Sequence, residues 1–295
     1  MSTTPVIEVE QLNLTYGDFH AVKDLSFEVR PGELYALLGT NGAGKTSTLE
    51  VVEGHRRPTS GAVRVFGHSP DNRRAVRPRM GVMLQESGFS PDLTVRESVG
   101  LIGRLTGRTD DVDRVLDLVD LSSRARRKVA QLSGGEKRRL DFATAVYGTP
   151  ELIFLDEPTT GLDIQSRDAV WTSVDRLREN GATIVLTTHY LEEAQQRADR
   201  IGLMHQGTLH REGTVTELTR TLPAVIRFTI PAPAPAPALP LQAAVDVDGK
   251  VVIETFELQK DLHLLLGWAQ DHAMDLRDLA AGPTRLDDVF RAINN

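Results

Sequence analysis

The stretch Gly39-Thr40-Asn41-Gly42-Ala43-Gly44-Lys45-Thr46 constrains this chain more than any other. Its spacing is G-x-x-x-x-G-K-[ST], the spacing of a loop that wraps phosphate oxygens. An apolar run of strand length, Leu34-Tyr35-Ala36-Leu37-Leu38, precedes it, and Ser47 to Val52 reads as the start of a helix. That strand–loop–helix order is the context the spacing needs. The glycines let the backbone approach where a Cβ would clash. Backbone N–H groups and the positive end of the helix dipole then face the anion. Lys45 is placed to reach the β- and γ-phosphates, and the Thr46 hydroxyl to ligate Mg²⁺.

With 295 residues, the length is that of about two ordinary domains. The net charge of −7 weighs against nucleic acid as a partner. The basic cluster Arg124-Ala125-Arg126-Arg127-Lys128 lacks interleaved aromatics and reads as a solvated helix end. There is no cysteine, which excludes disulfides and Cys-ligated metals and fits a cytoplasmic protein. Met1-Ser2-Thr3-Thr4-Pro5 has no basic segment followed by an apolar one, so no signal peptide is expected. No apolar run reaches the roughly 18–20 residues that span a bilayer. Membrane work would therefore require another chain.

Taken in order, Val6 to Glu10 roughly alternates apolar and polar, Leu25 to Val29 does so strictly, and both predict half-buried strands. Pro31-Gly32 turns the chain, and Gly61 to Gly67 predicts another short strand. Tyr16, between such strands, is placed either to pack or to stack on adenine, worth roughly 1–3 kcal/mol by analogy with base stacking. Met80 to Gln85 is a strand ending in an amide. Thr94-Val95-Arg96-Glu97 has the spacing of a capping box. Its helix runs through Leu101, Ile102 and Leu105, and a second carries Val112, Val115, Leu116 and Val119 on one face. These apolar positions are expected to be core. Ser133-Gly134-Gly135-Glu136 precedes a helix over Lys137 to Tyr147. It is either a plain cap and turn or a second anion-binding helix end.

Leu152-Ile153-Phe154-Leu155-Asp156-Glu157 is an apolar strand ending in two carboxylates, at the end where buried parallel sheets bind ligands. Asp156 is placed to hold Mg²⁺ and Glu157 to polarise water. After a loop over Pro158 to Asp163, a helix carries Val170, Trp171, Val174 and Leu177. Thr183 to Thr188 is again a buried strand, with His189 at its end. The order β, helix, β, helix, β predicts a parallel sheet wrapped by helices. A hairpin follows over Asp199 to Leu209. Beyond residue 222 the texture changes. Val225 to Ile230 is expected to pair with Lys250 to Phe256 around a Pro/Ala-rich loop over 231–240. A helix (Leu258 to His272), a short strand (Met274 to Leu279) and a last helix (Arg285 to Ile293) then complete a small α+β module. Leu279, Leu286, Val289 and Phe290 are its candidate core or subunit contact.

In this order the motifs resemble the ATP-binding subunit of ABC transporters. Tyr16 matches the adenine loop, Gly39–Thr46 Walker A, Gln85 the Q-loop and Leu132–Glu136 the signature. Leu152–Glu157 matches Walker B, Gly161-Leu162-Asp163 the D-loop and His189 the switch histidine. Glu136 departs from the more usual Gln. The tail, with Arg285-Leu286-Asp287-Asp288-Val289-Phe290, looks like that of the daunorubicin/doxorubicin-type exporter ATPases. The resemblance implies an α/β P-loop NTPase with a mostly parallel sheet, an antiparallel β subdomain and a helical insert at about 86–135. It places the ATP-binding domain at 6–220 and the small α+β domain at 223–295.

The resemblance further implies ATP and Mg²⁺, with Thr46, Gln85 and Asp156 around the metal. Tyr16, Gly39 to Ser47, Gln85, Ser133 to Glu136 and Asp163 would line the nucleotide. Lys45, Glu157 and His189 would act in catalysis. Two chains, most simply two copies of this one, would sandwich two ATP molecules head to tail. Gln85 would report nucleotide state to the insert, which touches a separate membrane subunit. The expected place is the inner face of the cell membrane, and the expected task is export of a drug-like or lipid-like substrate. An importer ATPase and a soluble ABC ATPase acting on DNA or ribosomes are the alternatives. Against the soluble class stand the absence of a long coiled coil, a second cassette or a basic stripe.

Overall fold

The structure is a computed structural model that describes residues 4–83, 88–220, 222–230, 238–246 and 248–294. The chain divides into two compact units, Met1–Thr214 and Val215–Asn295.

The strands of the first unit are β1 (Ile7–Tyr16), β2 (Phe19–Val29), β3 (Leu34–Gly39), β4 (Ser60–Val65) and β5 (Met80–Met83), then β6 (Leu152–Asp156), β7 (Thr183–Thr187), β8 (Arg200–His205) and β9 (Thr208–Gly213). Its helices are α1 (Lys45–Val52), α2 (Arg73–Val76), α3 (Val95–Thr106), α4 (Val112–Leu118), α5 (Gly134–Val146), α6 (Ile164–Glu179) and α7 (Leu191–Arg197). Strands β2-β1-β4 form an antiparallel sheet, and the others a six-stranded sheet in the order β5-β6-β7-β3-β8-β9. Five of these run parallel and β9 is reversed.

Strands β3, β6 and β7 are apolar on both faces and buried almost throughout. Such strands need cover on both sides. One core joins the two sheets, from Ile7, Leu12 and Leu25 across to Leu37, Phe154 and Val185. Helix α5 crosses β5 so closely that a Cβ on Gly81 would lie 1.9 Å from the Ala145 carbonyl oxygen.

The capping box at Thr94 forms as expected, with side chain and backbone exchanged between Thr94 and Glu97. Not all the insert's apolar positions are core. Val115, Leu116 and Val119 are buried, but Leu105 is 72% exposed because burial along α3 stops at Gly103. A second correction concerns α5, which starts at Gly134 rather than Lys137. A capping box between Ser133 and Glu136 draws both glycines into its first turn. The basic cluster is not uniformly solvated either. Arg124 Nε donates to Glu136 Oε1 at 2.6 Å.

The second unit contains α8 (Val215–Thr219), β10 (Ala224–Thr229), β11 (Ala244–Val245), β12 (Lys250–Thr255), α9 (Leu258–Asp271), β13 (Arg277–Gly282) and α10 (Leu286–Asn294). The sheet order is β11-β12-β10-β13, all antiparallel. β10 pairs with β12 as expected, and residues 231–237 of the proline run lie outside the described residues. Helix α9 lays Leu265, Trp268 and Ala269 over Ile226, Phe228, Val251 and Ile253. β13 is shifted toward the C-terminus of the expected Met274–Leu279, because pairing of Gly282 and Ala281 with Val225 and Ile226 sets its register. Leu279 on this edge strand is exposed, whereas Leu286 and Val289 are buried. Helix α8 packs on α10, so the second unit begins before the expected boundary.

Candidate functional site

Gly42 and Gly44 adopt positive φ, and Gly44, at +99°, is the N-cap of α1. A side chain at Gly44 would also meet the Ala21 carbonyl oxygen at 2.7 Å. The Ala43 N–H bonds back to the Thr40 carbonyl, closing the turn. Lys45 Nζ donates to the carbonyls of Gly39 at 2.8 Å and Thr40 at 3.1 Å. Its ammonium is therefore held over the mouth of the loop. Burial lowers the Lys45 pKa, and the charges of Glu157 and Asp156 oppose that shift. Asn41 to Ser47 line a hollow of 230 Å³ together with Phe19 and Ala21.

Strands β6, β7 and β3 are neighbours, so their C-terminal ends bring three sequence-predicted segments to one edge. Asp156 is in register with Thr187, whose hydroxyl donates to its carboxylate. Glu157 Oε2 lies 2.6 Å from His189 Nδ1 and accepts from the Thr160 hydroxyl at 3.2 Å. The His189 ring packs on Tyr190, centroids 4.0 Å apart, and the Arg167 guanidinium lies 5.0 Å from the Tyr190 ring. A carboxylate in contact with an imidazole, beside a lysine and a second carboxylate, can order a water and stabilise charge developing on a phosphoryl group.

Tyr16 ends β1. Its hydroxyl lies 3.2 Å from Ser47 Oγ and 3.0 Å from Glu50 Oε2, which ties it to α1. Arg56 sits 4.5 Å from the centre of the Tyr16 ring and donates to Glu50 at 3.1 Å. Across the hairpin, Phe19 pairs with Tyr16 and is 64% exposed beside the phosphate-loop hollow. The sequence reading missed Phe19. An aromatic opposite Tyr16 across the two-residue turn Gly17-Asp18 was the available signal.

Ser133 and Gly134 are exposed at a different helix end, the start of α5, and nothing lies within 4 Å of a side chain placed on Gly134. Glu136 accepts from the Ser133 N–H at 2.8 Å. Arg124 and this cap hold the Glu136 pKa down. Asp163 caps α6, accepting from the Ser166 N–H at 2.7 Å. Gln85 lies outside the described residues. Among the described residues no group of three or more His, Cys, Asp or Glu forms a metal site. Nor is any helix there long and apolar enough to cross a membrane.

The ABC transporter family matches residues 22–160, and the C-terminal domain of ABC transporter domain-containing proteins matches residues 224–284. The chain is 36% identical to the Nod factor export ATP-binding protein I of Paraburkholderia xenovorans, over 96% of this chain and 95% of that protein. It is 36% identical to a daunorubicin resistance ATP-binding protein of Streptomyces coeruleorubidus, over 96% and 94%. A linearmycin resistance ATP-binding protein of Bacillus subtilis is 32% identical, over 97% of each chain. Among solved structures, the ATP-binding subunit of an ABC transporter superposes with a TM-score of 0.69 at 27% identity, over 73% of this chain and 92% of that one. A dimeric ATP-binding cassette in a post-hydrolysis state, bound to ADP and Pi, superposes with a TM-score of 0.66 at 25% identity, over 70% and 98%.

Proposed function

Because this chain belongs to the ATP-binding proteins of ABC transporters, we propose that it powers the export of a drug-like or lipid-like molecule through a separate membrane subunit. It is an ATPase, and such subunits dimerise and work with membrane partners. The observation that carries the chemistry is the meeting of β3, β6 and β7 at one edge, with Glu157 against His189 beside the Lys45 loop. The likeness to export and resistance proteins over nearly the whole chain, tail included, supports the direction of transport.

In this proposal Lys45 and the loop N–H groups hold the phosphates of ATP, and Tyr16 holds the base. Ser47 and Glu50 fix Tyr16 by its hydroxyl. Thr46 and Asp156 offer one hydroxyl and one carboxylate to Mg²⁺. That donor set fits an ion that keeps several waters and takes phosphate oxygens, rather than an all-protein cage. When bound, the ion would neutralise charge on the β- and γ-phosphates. Glu157 positions the attacking water, and His189 holds the Glu157 carboxylate and faces the γ-phosphate. Ser133, Gly134 and Gly135, with the Asp163 loop, serve the nucleotide of a second copy of this chain. The first unit hydrolyses and the second serves assembly. The working location is the cytoplasmic face of the membrane.

Purification from native membranes with the bound integral protein, followed by reconstitution, tests the direction. Inside-out vesicles should accumulate an amphipathic dye when given ATP. Accumulation only in right-side-out vesicles with ATP inside would make this an importer subunit.

A further inference from the structure

Glu157 has a backbone that a side-chain-bearing residue seldom adopts. Its φ is +52°, in the left-handed region, which costs a non-glycine residue about 1–2 kcal/mol. It persists only where the surroundings impose it. Two contacts do so here. The Glu157 N–H donates to the Thr187 carbonyl of β7 at 3.0 Å. On the other side, the Arg138 guanidinium donates to the Glu157 carbonyl at 2.5 Å and to the Asp156 carbonyl. Arg138 is buried on α5, with Asp141 4.0 Å from its Nη1. A buried guanidinium bonded to two successive main-chain carbonyls fixes the peptide units on either side of the Glu157 Cα. The first of these units joins the proposed metal ligand Asp156 to the proposed base Glu157. Helix α5 is also the helix whose first turn carries Ser133, Gly134 and Gly135.

We propose that Arg138 is a positioning residue. It holds Glu157 in its left-handed conformation and thereby makes the carboxylate's place depend on the position of the Ser133 helix. A chain whose α5 is displaced has Glu157 out of place. A chain whose α5 is seated against a partner's nucleotide has Glu157 aimed at its own. The inference rests on the proposal that Glu157 orders the attacking water.

The test is a double-mutant cycle in the full-length chain with its membrane partner. Arg138→Gln keeps a polar side chain but loses the reach and charge. It should lower kcat by about 10²-fold, the scale of a misplacement near 1 Å, while ATP affinity changes by less than about 2-fold. In a Glu157→Gln background the same change should cost almost nothing more, because residues that act as a unit are non-additive. Arg138→Lys, which bonds fewer carbonyls, should fall between, and it replaces Arg138→Gln if that variant fails to fold. Additive losses, parallel loss of ATP affinity, or an unchanged kcat would each overturn the proposal. Wild-type turnover by Glu157→Gln alone would instead overturn the role given to Glu157.

Discussion

Lys45 bridges the carbonyls of Gly39 and Thr40 and so holds its ammonium against the phosphate loop. Lys45→Ala should abolish ATP binding or hydrolysis with no loss of fold, as read by nucleotide titration and circular dichroism. A folded variant with full hydrolysis would contradict the site. Glu157→Gln keeps shape and removes charge. It should slow turnover by roughly 10²–10⁴-fold while ATP still binds, and single-turnover assays would expose the difference. A third residue, Glu53, makes a pH-dependent contribution to stability. It is buried at the C-terminal cap of α1, 3.6 Å from His55. Burial first, then the charges of Asp156 and Glu50, push its carboxyl up to about 8. An unfolded glutamate ionises near about 4.3. Between those values the native chain keeps a proton that the unfolded chain has lost. Stability must therefore fall as pH rises through that window and level off above it. Glu53→Gln should flatten that part of the Tm profile. An unchanged slope would mean that Glu53 is ionised in the native state.

At the level of elements, what could be read from the sequence follows from how local the signal is. The Thr94–Glu97 box, the two-carboxylate end of β6 and the Gly-rich loop are local chemistry, and each lies where the pattern puts it. The start of α5 lies earlier than expected because Ser133 caps the helix with Glu136, which draws Gly134 and Gly135 into its first turn. β13 was misplaced because Ala280-Ala281-Gly282 has no alternation to read, and its register comes from β10. Phe19 and Arg138 are the harder cases. Phe19 matters through a hollow built by a distant loop, and Arg138 through carbonyls eighteen and nineteen residues away in sequence. Only the aromatic pair across the Gly17-Asp18 turn points to Phe19 in the sequence, and no pattern of residue types records Arg138. A prediction belongs to α3. Thr94→Ala should destabilise the chain by about 1 kcal/mol through lost capping, with nucleotide binding unchanged, as measured by denaturant titration with and without ATP. A stability unchanged within error would show that Glu97 alone satisfies the helix end.

For the whole molecule, two units and one phosphate loop set the terms. A chain ending at Thr214 keeps every described site residue and the whole six-stranded sheet. It should bind ATP as the full chain does but assemble less well with its partners. Failure of the folded fragment to bind would contradict the division of labour. The central claim is that each hydrolytic site is completed by a second chain. Mixing two inactive variants tests it most directly. Lys45→Ala spoils the phosphate loop and spares Ser133, whereas Ser133→Arg fills the start of α5 and spares Lys45. Each homodimer has two broken sites, but a mixed dimer has one doubly broken site and one intact site. The predicted result is partial recovery of ATPase activity on mixing, measured with the membrane subunit present. A solitary monomer that hydrolyses ATP at the full rate would contradict it.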